Sequence, residues 1–336
     1  MLSSRNVSPC GGIGETLRAR RSEIQEVRLS EMGKLFSSYR LVTMGVVACA
    51  LALGLSVDGG VATEGQAQKR RPLTESQKSH SRNVLTPEAR EMVDLASAVV
   101  CRERTTDPKG SVPIDDMQGR PSLPVKSPEA VAGAKRAQRL LPVAKDLVAS
   151  SLRQLLKDYN VAGSRVHSAR VQRAINRVMA VTHIRPDVDS RDNASVFLQN
   201  PHTIIFGTIF LAGLPSDEGI VSVLAHELVH IGDGGEDSLG WLFRAVGSRA
   251  SSLTGSRING QRAEELTCDL VGTLAARGYV SRTPSYEPLP RRISRSLAHN
   301  CVEQDEGDDD HLSPRTTIRA LLTLTPSLSR ELVYGR

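Results

Sequence analysis

The 336-residue sequence predicts an α+β protein, mostly helical, with a small edge β-sheet and an N-terminal helical extension. Three observations carry this. Long stretches between residues 87 and 324 repeat apolar residues three and four apart, the period of a helix with one buried face. One short region, 195–206, instead holds two β-type runs around an Asn-Pro turn signal. Hydrophobic residues make up 39% of the chain and charged residues 24%, which suits a packed core and excludes global disorder.

The elements follow in order. Residues 41–57 (LVTMGVVACALALGLSV) carry no charge and have the length of a signal-peptide core or a short membrane anchor. Counted from Met32 the segment has ordinary leader proportions, so translation is expected to start there. Gly65 and Ala67 stand like the −3 and −1 residues of a cleavage site. Cys49 in a lipoprotein-like box and an uncleaved anchor are the two rival readings. All three export the body of the protein, to a periplasmic or outward-facing, membrane-anchored location. Residues 1–67 are thus an extension with a signal peptide or anchor, and 68–127 a linker with one helix. The main domain is 128–336, its core about 165–325.

Pro87 to about Arg104 reads as that helix, and 105–127, rich in proline, as a loop. A long helix is expected over Pro128–Tyr159, kinked or divided at Pro142. Another spans about Arg165–Val181, with Val166, Val171, Ile175, Val178 and Met179 inward. Ser195–Leu198 and Thr203–Phe206 read as a hairpin or two edge strands. Ser216 is a good N-cap for a helix running to Ile231 and ended by Gly232. Leu239–Leu253 is amphipathic and a candidate lid. Gln261–Arg277 is a further helix, closed by Gly278 at C′, and Pro314–Leu324 is the final one. The acidic segment 303–310 (EQDEGDDD) reads as a solvated loop.

Composition excludes some functions. Aromatics are only 3%, with one Trp, so stacking platforms for single-stranded nucleic acid are absent. The net charge of +6 is scattered and forms no nucleic-acid-binding arm. The five cysteines include no CxxC pair, which excludes a thiolate zinc ribbon; Cys101 and Cys301 are the pair a disulfide could join.

Chemistry concentrates in two helices. His226 and His230 are four apart and stack on one face, a spacing that lets two imidazoles bind one Zn²⁺, with Glu227 beside them. The other positions of that helix are almost all apolar, so the three polar side chains are buried and need a partner; unpaired, they cost several kcal/mol. A third ligand is required. The HExxHxxGxxH pattern is excluded by Asp233 and Glu236. On the next helix Glu265 and Asp269 lie four apart. Glu265 is the expected ligand, and Asp269 the acceptor for an imidazole N–H. Glu264 competes as ligand but lies about 100° round the helix.

HExxH followed by ExxxD on a later helix is the gluzincin signature. The chain resembles the HtpX/Oma/CAAX-prenyl-protease-like zinc metalloendopeptidases in four segments: Asn193–Phe197, Gly213–Glu218, Ala225–His230, and Glu265–Asp269 continuing to Gly272 and Tyr279. Cys268 stands where the family usually has Ala. Ser313-Pro314 stands in place of its His-Pro, with Arg319 six residues after Ser313 and His311 the nearest histidine. The resemblance implies a zincin-like fold for 128–336 and one zinc per chain on His226, His230 and Glu265, with Asp269 behind an imidazole. It implies Glu227 as general base on a zinc-bound water, and His311 and Arg319 as candidates to stabilise the oxyanion. A polypeptide substrate, a misfolded or envelope protein, is expected to add to the edge strand along Asn193, Ser195 and Phe197. No nucleic-acid partner is expected, and membrane association is expected only through 41–57. The competing reading is a non-catalytic zinc-bound envelope scaffold or chaperone-like protein; an intact Glu227 favours hydrolysis.

Overall fold

Four helices begin where a serine caps them. Ser127, Ser164, Ser216 and Ser313 each accept a hydrogen bond from the backbone N–H three residues on. The computed structural model describes residues 85–106, 121–160, 162–191, 193–197, 199–214, 216–234, 238–297, 307 and 310–335. By its contacts the chain divides into Met1–Pro72 and Leu73–Arg336, and every described residue lies in the second unit. The 41–57 segment and most of the acidic loop lie outside the described residues. No described helix is long and apolar enough to cross a membrane.

The elements are α1 (Pro87–Thr106), α2 (Pro128–Tyr159), α3 (Arg165–Ala180), β1 (His183–Asp187), β2 (Ala194–Val196), β3 (Thr203–Gly207), α4 (Thr208–Gly213), α5 (Asp217–Asp233), α6 (Gly240–Thr254), α7 (Gln261–Arg282), α8 (Leu289–Leu297), α9 (Pro314–Leu324) and α10 (Pro326–Tyr334). Among the described residues the architecture is mostly helical with one three-stranded sheet, as the sequence predicts. Its order is β1-β3-β2. β3 is buried along its whole length, pairing parallel with β1 and antiparallel with β2, where Val196 faces Ile204 and Ala194 faces Phe206. The expected hairpin is therefore real and β2 is an edge strand. β1 was not expected, because its sequence HIRPD has no β-type alternation.

Helix α5 is the centre of the core. It packs against α7, α2 and α3. Ile220, Val221, Leu224, Leu228, Val229 and Ile231 are all at most 1% exposed. Each such side chain contributes about 1.5–3 kcal/mol on burial, enough together to hold the polar groups of this helix inside. A second apolar cluster joins Val93, Ala96 and Val100 of α1 to Ile293, Ile318, Leu322, Leu328 and Leu332. Helix α1, which the sequence places in a linker, is thus packed into the folded unit.

Several local expectations are corrected. Pro142 lies inside one uninterrupted helix and does not divide it. Val166 and Met179 are 60% and 44% exposed; the inward face of α3 is Val171, Ala174, Ile175 and Val178. Helix α6 is not a lid: Leu242, Phe243, Val246 and Ala250 are core residues. Helix α5 continues past Gly232 to Asp233, and Gly234 is the left-handed cap at φ 64°. Gly278 lies within α7, which runs on to Arg282.

Two glycines of α7 set its packing. A Cβ at Gly272 would stand 2.8 Å from the Ser222 carbonyl oxygen of α5, and one at Gly278 would stand 2.7 Å from Leu147 Cδ2. Glycine inside a helix costs about 1 kcal/mol against alanine, so the close approach of α7 to α5 outweighs that cost. We expect Gly272→Ala to lower the thermal midpoint clearly, by about 1–3 kcal/mol of stability, because backbone blocks it. Gly278→Ala should cost less, because a flexible leucine end can move and the helix gains propensity. Thermal unfolding of both variants checks this; equal effects would contradict it.

Candidate metal centre

The close contact of α5 and α7 brings the predicted residues together. His226 Nε2 lies 3.2 Å from Glu265 Oε2, and His230 Nε2 lies 3.5 Å from the same oxygen. The two Nε2 atoms are 3.2 Å apart. Three lone-pair-bearing atoms thus converge on one point.

The outer nitrogens are also held. His226 Nδ1 is 2.9 Å from Asp269 Oδ1, the expected contact. His230 Nδ1 is 3.0 Å from Glu264 Oε1. Each imidazole therefore donates its Nδ1–H to a carboxylate, which fixes the tautomer and turns Nε2 inward. Glu264, weighed from sequence only as a rival ligand, is the partner of the second histidine.

Cys268 is the residue that sequence reasoning passed over as a small replacement. Its side chain is fully buried and its thiol free. Its Sγ lies 3.8 Å from His230 Nδ1, behind the ring. His226, His230 and Cys268 form a group whose ligand atoms lie within 4.8 Å of one another and could hold a metal ion. A signal for all this exists in the sequence. Two interleaved pairs four apart supply these contacts: Glu264 and Cys268 meet His230, Asp269 meets His226, and Glu265 lies against both imidazoles.

Burial and charge shift the titrations. Burial alone would drive the proton off both imidazoles. At His226 the hydrogen bonds to Asp269 and Glu265 overcome it, and the pKa rises well above the ordinary value. His230 rises too, against burial, through Cys268, Glu264 and Glu265. Burial likewise disfavours a charged Glu265, but the two histidines hold its carboxyl well below the usual carboxylate range. Burial pushes the Glu227 carboxyl up, opposed by His226 and His230.

Glu227 is 7% exposed. Its carboxylate has no hydrogen bond and no ion pair among the described residues. It lines two cavities, of about 260 Å³ and about 450 Å³, that meet at the centre. Asn193, Ala194, His226, Glu265 and His311 line both. His311 Nε2 stands 3.7 Å from Glu265 Oε2 on an exposed side chain. Ser195 lines the larger cavity.

Two predicted site residues fall elsewhere. Arg319 lies in an ion pair with Asp94 of α1, 2.8 Å away, and lines a different cavity. On α9 the residues that reach the centre are Pro314 and Thr317; Arg319 is about 200° round the helix from Thr317. Phe197 is 53% exposed and lines neither cavity. Strand β2 ends at Val196, and the Phe197 carbonyl accepts from the Asn200 N–H in the turn, so the period-two face from Ser195 is not continued. His202 is a loop residue, its ring 3.0 Å from the Ala180 carbonyl.

Comparison with protein-family models, with curated proteins and with solved structures finds no match to this chain.

Proposed function

We propose that the protein is a zinc-dependent endopeptidase with a zincin-like core, acting on exported or envelope polypeptides. The observation that carries the reading is the triangle of His226 Nε2, His230 Nε2 and Glu265 Oε2, with edges of 3.2, 3.2 and 3.5 Å. Ligand bonds of about 2.0–2.1 Å in a tetrahedral site place neighbouring ligand atoms about 3.3 Å apart. The residues therefore fit zinc with three protein ligands and one open position. Cys268 suits the site less: its nearest imidazole nitrogen is the one that Glu264 already holds.

A zinc ion bound there makes water acidic near neutral pH and polarises a carbonyl. The chain's own residues do the rest. Glu227, buried and without a hydrogen-bond partner among the described residues, takes the proton of the attacking water and passes it to the leaving amine. His311, at the mouth of both cavities, donates to the developing oxyanion. Edge strand β2 pairs with the substrate backbone and lays the scissile bond across the centre. Asn193 and Ser195 flank that path.

Export rests on residues 41–57 and on Cys101, which is disulfide-bonded. Disulfides persist in oxidising compartments. The protein is expected to cleave unfolded casein, to lose the activity with 1,10-phenanthroline, and to regain it with one equivalent of Zn²⁺. Cleavage that is indifferent to chelation overturns the reading.

A further inference from the structure

Among the described residues Arg191 is the one non-glycine residue with a positive φ, at 45°. That left-handed conformation is unfavourable for a residue with a Cβ, and it persists only where the surroundings fix it. The Arg191 carbonyl accepts the N–H groups of both Ile209 and Phe210, at 3.1 Å each, and so caps the first turn of α4. Just before it, the Asp187 carboxylate accepts from the Ser190 N–H and hydroxyl, at 3.0 and 2.7 Å. Gly207, at the end of β3, lies directly against this turn. A Cβ there would fall inside the Arg191 carbonyl group and stand 2.7 Å from the Ser190 carbonyl oxygen. No side chain fits between the two backbones, so it is glycine that lets turn and strand close.

The closed turn delivers one residue to the cleft. The Asn193 N–H donates to the Ser190 carbonyl at 2.9 Å, and the Asn193 carbonyl accepts the Gly207 N–H at 2.7 Å. The alternation of an antiparallel ladder then turns the Ala194 N–H toward the free edge of β2. Asn193 Oδ1 accepts that N–H at 2.9 Å. Backbone and side chain of Asn193 are therefore both fixed, although the residue is exposed. With Oδ1 engaged, Nδ2 is the donor left where the edge strand meets the zinc centre, and it donates to nothing among the described residues. Asn193 lines both cavities beside His226 and Glu227.

We propose that Arg191 and Gly207 are positioning residues: a strained backbone turn, locked against a glycine, holds the Asn193 amide rigid for the substrate backbone. The proposal rests on the endopeptidase reading and adds to it what sets the geometry of the substrate strand. A side chain free to rotate loses entropy when it grips a ligand; one already fixed does not. The role belongs to the backbone conformation at residue 191 and not to the guanidinium, whose contact with Ser122 Oγ is exposed and 3.4 Å long.

The test separates the two parts of Arg191. Arg191→Gly and Arg191→Asn remove the guanidinium and accept a positive φ; Arg191→Val removes it and resists that φ. In the full-length, zinc-loaded protein, Arg191→Gly and Arg191→Asn are expected to cleave fluorescein-labelled casein within about twofold of the native kcat/KM. Arg191→Val is expected to lose about tenfold, mainly through KM, with zinc content unchanged. In an Asn193→Ala background Arg191→Val should cost nothing further, because its effect passes through that amide. Equal activity in all three variants overturns the proposal, as does an Arg191→Val penalty that persists in full without the Asn193 side chain. Anisotropy of the same casein, with each substitution placed in the Glu227→Gln protein, repeats the comparison without turnover. Binding weakened by Arg191→Val alone, with no cleavage by the native protein, overturns the endopeptidase reading and keeps the positioning role. Binding that ignores Arg191→Val overturns the positioning role whatever is cleaved, and a native protein that neither binds nor cleaves casein overturns both.

Discussion

Glu227→Gln is expected to reduce peptide hydrolysis by at least about 10²–10⁴-fold while zinc stays at one per chain. The expected factor is the usual worth of a positioned general base. Glutamine keeps the size and the hydrogen-bonding capacity of the side chain but cannot take a proton. Glu227 touches neither the Nε2 pair nor Asp269 and Glu264, so its replacement leaves the ligand triangle in place. Burial already raises its carboxyl pKa, which moves it from a weak base toward one matched to neutral pH. Casein turnover together with zinc content of the purified variant checks both halves. Native turnover removes Glu227 from the mechanism; loss of zinc makes it structural.

The second large effect separates two ligand sets. Glu265→Ala should weaken zinc binding by more than about 100-fold, since even supporting residues behind a ligand are worth 10–100-fold. Cys268→Ala should leave one zinc per chain. The geometry argues this way because Glu265 Oε2 touches both Nε2 atoms and Cys268 Sγ touches the occupied Nδ1 of His230. Burial also pushes the Cys268 thiol up, despite the histidines nearby, and a protonated thiol is a poor ligand. Zinc stoichiometry and competition with a chromogenic chelator measure the difference. The opposite result would move the third ligand to Cys268.

Much of the site was legible because helical spacing is a property of the chain. His226, Glu227 and His230 must share a helix, and residues four apart must share a face. Asp269 behind an imidazole follows from the same rule once Glu265 is a ligand. Glu264 was legible as a carboxylate but not as the holder of His230 Nδ1, because the rotation of α7 about its axis depends on Gly272 lying against Ser222. Arg319 was misplaced for a related reason. Counting six residues from Ser313 says nothing of which side of α9 faces the cleft, and that side is decided by the apolar cluster shared with α1.

The chain by itself determined that the protein is mostly helical, where nearly every long helix begins, and which short segments carry metal-type side chains. Local periodicity and capping are written in neighbouring residues and need no tertiary information. The structure alone decided which nitrogen meets which carboxylate, that Cys268 sits behind a ring, that α6 is core, and that β1 completes the sheet. Those outcomes depend on how tightly helices remote in sequence approach one another, and that distance is set by glycines and packing surfaces whose partners lie tens of residues away.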